Sequence, residues 1–103
     1  MNQYNSEDNR EGYWERYYDN GQIYYKGHYI NGKEDGLWEE YYDNGHLWYK
    51  GNFVNGLRDG YWEVYYINGN VDYKGNYLNG KFDGLCKCYN SNGQLLYKEL
   101  FIN

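Results

Sequence analysis

The chain has 103 residues, about one small domain, with 15 acidic and 10 basic side chains and a formal net charge of −5. That balance excludes general binding to DNA or RNA, which needs a cationic face to displace counterions from phosphates. No apolar run is long enough for a transmembrane helix or a signal-peptide core, so the expectation is a soluble, cytoplasmic protein, and two cysteines cannot build a disulfide framework.

Leu, Ile, Val and Phe are sparse, and 17 Tyr and 4 Trp carry the apolar area instead. All 14 glycines fall on one lattice with a step of 24 residues: Gly12, Gly36, Gly60 and Gly84 start one series, and three more series run beside it. Trp14, Trp38 and Trp62 share the step. In chain order this gives a polar N-terminal tail or cap at 1–11, then a repeat domain at 12–103. Its units are 12–35, 36–59, 60–83 and a partial capping unit, 84–103.

Each full unit holds two Asn-Gly pairs and the last holds one, at Asn20, Asn31, Asn44, Asn55, Asn68, Asn79 and Asn92. Asn-Gly favours the type I′ turn of a two-residue hairpin, because both central residues need positive φ. Seven such turns, separated by Tyr-, Trp- and Val-rich segments, leave room for about eight short strands. Glycine recurring this often excludes helices.

A two-residue turn at Asn68-Gly69 sets Ile67 opposite Asn70, Tyr66 opposite Val71, Tyr65 opposite Asp72 and Val64 opposite Tyr73. Glu63 then faces Lys74, and Trp62 faces Gly75. The same rule pairs Glu15 with Lys26, Trp14 with Gly27, Glu39 with Lys50 and Trp38 with Gly51. Every full unit thus carries an opposite-charge pair and an indole laid over a glycine. In the last unit Cys86 stands opposite Glu99 and Lys87 opposite Lys98, the marks of a terminal cap.

Alternation sorts the faces. Trp14, Trp38 and Trp62, with Tyr25, Tyr49, Tyr73, Gly27, Gly51 and Gly75, belong to the packed face. Glu15, Tyr17, Tyr24, Lys26 and His28, and then Glu39, Tyr41, Trp48, Lys50 and Asn52, belong to the wet one. The fold class is all-β: a single-layer antiparallel meander of stacked hairpins, with rings packing between units rather than against a second layer.

The string Tyr25-Lys26-Gly27-x-Tyr29-x-Asn31-Gly32-Lys33-x-x-Gly36-x-Trp38 resembles a MORN repeat, and its skeleton recurs at Tyr49 to Trp62 and Tyr73 to Gly84. The added Tyr17-Tyr18-Asp19-Asn20-Gly21 and Tyr41-Tyr42-Asp43-Asn44-Gly45 segments resemble the bacterial variant found in YwqK-family antitoxins. The resemblance covers about residues 12–103. It implies an elongated hairpin array that binds another macromolecule.

No catalytic, cofactor-binding or metal-binding residues are expected. Ser6 and Ser91 lie near no histidine, His28 and His46 are isolated, and Glu39 and Glu40 point to opposite faces. Cys86 and Cys88 lack the further ligands that zinc needs, so filling the space left by a missing Trp is their reading. Asp35, Asp59 and Asp83 read as turn caps acting through their own backbone, or as an acidic row that steers a basic partner.

The partner-binding candidates are the wet-face rings Tyr17, Tyr41, Tyr65 and Tyr89, Trp48 beside Tyr41, and the acids Glu15, Glu39 and Glu63. These features favour a non-catalytic protein-binding module, with an antitoxin or immunity protein that occludes a toxin as its sharper form. The alternatives are cell-wall glycan binding through the aromatic rows, or a membrane- or lipid-head-group-associated scaffold, which the net charge disfavours. Leu96, Leu100 and Ile102 are assigned to the wet side of the last strand, an apolar edge that could also pair two copies.

Overall fold

The computed structural model describes residues 2–7 and 9–102. Met1 and Asp8, in the expected tail, and Asn103, at the end of the expected repeat domain, lie outside the described residues. The strands are β1 (Gln3–Tyr4), β2 (Arg10–Tyr17), β3 (Ile23–Ile30), β4 (Lys33–Tyr41), β5 (Leu47–Val54), β6 (Leu57–Tyr65), β7 (Val71–Leu78), β8 (Lys81–Tyr89) and β9 (Leu95–Phe101). They pair in strict chain order, all antiparallel, as one open sheet measuring 46 × 37 × 12 Å. The smallest dimension is that of a single layer. There are nine strands among the described residues rather than eight, because Gln3–Tyr4 pairs with Arg10 and Glu11 of β2.

The seven Asn-Gly pairs split into two turn classes. Asn31, Asn55 and Asn79 have φ near +50°, and the glycine after each is also positive, so these are the expected two-residue type I′ turns. At Asn20, Asn44, Asn68 and Asn92 only the glycine is left-handed. There Gly69 donates its N–H to the Tyr66 carbonyl while Tyr66 donates to the Asn70 carbonyl, so Ile67, Asn68 and Gly69 form a three-residue loop. The loop moves the pairing near the turn by one residue. Tyr65 consequently faces Val71, not Asp72, and Ile67 lies in the loop instead of opposite Asn70. A bulge at Asp72 then restores the register, and Val64–Tyr73, Glu63–Lys74 and Trp62–Gly75 stand opposite one another as expected. Trp14–Gly27 and Trp38–Gly51 do the same.

Between hairpins the register slips again. Gly36, Leu37 and Trp38 of β4 span the gap opposite the single Gly27 of β3, because Lys26 pairs with Glu39 while His28 pairs with Asp35. This bend turns the Trp38 indole onto Gly27, where an added Cβ would land inside the ring, and Trp62 sits on Gly51 in the same way. The glycine is therefore covered by the following unit's indole, not by the Trp of its own hairpin. The opposed-pair register holds, but the coverage runs one unit forward. Cys86 occupies the corresponding place against Gly75.

The core is a chain of rings running the length of the sheet: Tyr4, Trp14, Tyr29, Trp38, Phe53, Trp62, Tyr77, Phe82 and Phe101, with successive centroids 4.5–6.1 Å apart. Trp14, Trp38 and Trp62 are buried, as are Gly27, Gly51 and Gly75. Tyr25, Tyr49 and Tyr73 are only half-buried, since no second layer covers them. Arg10 and Arg58 lie over the Trp14 and Trp62 rings at 4.6 Å, each hydrogen-bonded to two tyrosine hydroxyls.

Tyrosines also tie unit to unit. Tyr18, Tyr42 and Tyr66 donate to the carbonyls of Tyr41, Tyr65 and Tyr89 at 2.5–2.6 Å. The side-chain amides of Asn20, Asn44 and Asn68 reach the same way to Asp43, Ile67 and Ser91.

Candidate functional site

The face opposite the indoles is built around three carboxylates, each held by tyrosines two residues away on its own strand. Tyr13 and Tyr17 donate to Glu15, Tyr41 donates to Glu39, and Tyr61 and Tyr65 donate to Glu63. Residues at i and i+2 share a face of a strand, so the spacing alone brings these groups together. The tyrosine bonds, with Tyr17 first, hold the Glu15 carboxyl below its usual range. Burial, aided by the carboxylate neighbour, pushes Tyr13, Tyr41 and Tyr65 each up to about 12. The hydroxyls are thus locked as donors and the carboxylates as acceptors.

Cross-strand pairing adds a ladder. Glu15, Lys26, Glu39, Lys50, Glu63, Lys74, Lys87 and Lys98 stand directly opposite one another in succession from β2 to β9. Lys26 and Glu39 come to 3.8 Å, the one ion pair among the described residues. The signs alternate as far as Lys74 and then stop alternating: three lysines follow one another on β7, β8 and β9.

The sequence-derived candidates Tyr17, Tyr41, Tyr65, Glu15, Glu39 and Glu63 lie together on this face. Tyr17 is 57% exposed, whereas Tyr41, Tyr65 and Tyr89 are half-covered. Tyr89 joins through Lys74, whose ammonium stands 5.7 Å from its ring.

Trp48 does not sit beside Tyr41. It is the bulged residue of β5, and its indole packs on Tyr42 and Tyr49, just as the bulged Tyr24 stacks on Tyr18 at 4.6 Å. Alternation places both on the wrong side because a bulge breaks the period of two. Leu96 is the bulged residue of β9, so the same break removes the basis for assigning it to the wet face.

Asp35 caps a turn, but not its own: its carboxylate accepts the Asn55 N–H of the next unit at 3.3 Å. Glu11 does the same for Asn31 at 3.0 Å. His28 lies against the Tyr13 ring. Cys86 and Cys88 are free thiols with sulfurs 4.0 Å apart, and burial pushes Cys86 up to about 11. No group of three His, Cys, Asp or Glu side chains is placed to hold a metal among the described residues.

One row on this face has a signal that sequence reasoning left unused. Tyr13, Leu37, Tyr61 and Leu85 keep the step of 24, lie two residues before Glu15, Glu39, Glu63 and Lys87 of the ladder, and are 37–53% exposed. With them the face becomes a stripe of rings and aliphatic groups alongside a stripe of charge.

No curated protein matches the chain. The family profile of the MORN repeat variant matches four segments, 10–31, 34–55, 58–79 and 82–103. Each segment takes in one hairpin, β2–β3, β4–β5, β6–β7 and β8–β9, closed by the three-residue loop, and the type I′ turns lie at the junctions where one segment ends and the next begins. The chain belongs to the MORN repeat variant family, and is a repeat module of the kind that binds protein or membrane.

Proposed function

We infer that the protein is a non-catalytic protein-binding module, and that the open face of Tyr17, Tyr41, Tyr65, Glu15, Glu39 and Glu63 meets the partner. The carrying observation is the set of tyrosine-held carboxylates on a sheet one layer thick. A flat, rigid surface of aromatic rings and fixed negative charge suits a protein carrying basic groups, because the side chains are already ordered and little entropy is lost on docking. The sharper form of this reading is an antitoxin or immunity protein whose face occludes a toxin. The likeness of the Tyr-Tyr-Asp-Asn-Gly segments to YwqK-family antitoxins supports that form.

The test is affinity capture from the native cell with the wild-type protein and with the variant Glu39→Lys/Glu63→Lys. A partner retained by the wild type and lost by the variant is expected, and co-expression of the two should relieve any toxicity of that partner. If the wild type retains no protein, the reading fails. If the captured partner is harmless on its own, the antitoxin form fails.

A further inference from the structure

The charge ladder and the last strand meet at one place. Lys74, Lys87 and Lys98 are consecutive cross-strand neighbours without an intervening acid, an arrangement that costs stability wherever like charges stand opposite. Lys98 lies on β9, which among the described residues pairs only with β8 and forms the outer edge of the sheet. Next to it on the same face is Leu100, 65% exposed, with Ile102, 86% exposed, beyond. A shallow depression between β6, β7 and β8 is lined by Tyr61, Leu85, Lys74 and Lys87. Its counterpart two units earlier is lined by Tyr13, Leu37, Lys26 and Glu39, where the charges cancel.

We propose that β9 is a docking edge for an extended, acidic segment of a partner protein, which adds antiparallel as a tenth strand with its acid opposite Lys98. Backbone hydrogen bonds supply the attachment, and alternate side chains supply the choice of partner. Antiparallel geometry fixes the pattern: an apolar residue opposite Leu100, one intervening residue, then Asp or Glu opposite Lys98. That acid restores the alternation the ladder loses at Lys87.

A second copy of the chain fits this edge poorly. Head-to-tail addition would set the next copy's Trp14 against Glu99, where the first two units have a glycine, Gly27 and Gly51, beneath the incoming indole, and β1 already packs on Trp14. Two-fold pairing of β9 with β9 would bring two lysine rows together.

The proposal deepens the protein-binding reading and rests on it only in that the partner is a protein. The test is fluorescence anisotropy with the labelled peptide Thr-Val-Thr-Leu-Thr-Glu-Thr-Val and its Glu-to-Lys counterpart. The acidic peptide should bind wild type more tightly than the basic one. Lys98→Glu should weaken the acidic peptide ~5-fold, the scale of one exposed cross-strand charge pair, and should favour the basic peptide instead. Circular dichroism should show Lys98→Glu folded, since Lys98 is exposed.

Equal binding of both peptides, or of neither, overturns the proposal. So does binding to phosphatidylserine vesicles at physiological salt without peptide binding, or a β9-mediated dimer in sedimentation. If the peptides fail while Glu39→Lys/Glu63→Lys still loses a captured protein, only this proposal falls and the open-face reading stands.

Discussion

The sheet ends differently on its two sides. At the N-terminal side β1 has two residues, and Trp14 is covered by Tyr4 while donating to the Gln3 carbonyl. At the C-terminal side β9 runs for seven residues, six of them exposed. The last unit has lost two of the groups by which earlier units meet the unit that follows. Glu99 replaces the glycine that would receive a further indole, and Asn90 replaces the tyrosine that would donate to a further carbonyl. In a linear array these features have value only when a neighbour follows, and the fourth unit lacks both. Backward contacts persist in weaker form, with Cys86 where a Trp stands in each earlier unit.

The contrast between interior and terminal interfaces should be largest at these sites. Trp62→Ala is expected to cost about 4 kcal/mol, the range for truncating a buried large aromatic. Cys86→Ala, at the matching place, should cost about 1 kcal/mol, because few atoms are removed. Tyr41→Ala, on the open face, should cost clearly less than Trp62→Ala. Urea unfolding measures all three, and a Cys86→Ala loss equal to that of Trp62→Ala would erase the contrast.

Gly51→Ala sharpens the comparison with a single methyl group. The new carbon falls within the Trp62 ring, so the indole or the strand must move, at a cost of about 3 kcal/mol. Gly75→Ala meets the Cys86 Cα and the Leu85 carbonyl at 3.2 Å, a milder conflict expected to cost about 1 kcal/mol by the same urea measurement.

Lys87→Glu is expected to act in the opposite direction. It would complete the alternation from Glu15 to Lys98 and replace two like-charge oppositions with two attractive ones, a gain of about 0.5–1 kcal/mol in thermal or urea unfolding. If β9 docks acidic segments, the same change should weaken that binding while it stabilises the fold.

The 24-residue lattice carried the hairpin register in the sequence, because each Trp–Gly and Glu–Lys pair lies within one hairpin and local pairing decides it. Two errors near the turn also cancelled: the loop at Asn68-Gly69 is one residue longer than a type I′ turn, and the bulge at Asp72 removes the offset. What the lattice did not carry was contact between hairpins. The covering of Gly27 by Trp38 depends on the two-residue slip around Gly36 and Leu37, and alternation has no term for such a slip. The same blindness misplaced Trp48. Strand β1 was hidden because it lies outside the repeat, although Arg10 and Glu11 match Arg58 and Asp59 in step and in position beside the type I′ turns.

The smallest expected effect concerns one side chain that breaks the apolar pattern of the packed face. At the positions equivalent to Glu40 stand Arg16, Val64 and Cys88. Glu40 stands between Tyr25 and Tyr49, and accepts the Tyr49 hydroxyl at 2.6 Å. Burial raises its carboxyl above the ordinary value, and the Tyr49 bond opposes that rise without cancelling it. A folded state that holds a proton more tightly than the unfolded chain loses stability as pH rises from the ordinary carboxylate value through the folded one, and the full penalty stands above both. Glu40→Gln keeps an acceptor for Tyr49 and removes the charge. It should therefore stabilise the protein by about 0.5 kcal/mol near neutrality, a figure reduced for partial exposure to solvent. The gain should vanish below the ordinary carboxylate range of about pH 4, where wild-type Glu40 is already protonated in both states. Urea unfolding of the two proteins at both pH values measures this, and an equal gain at both would assign the effect to packing rather than charge.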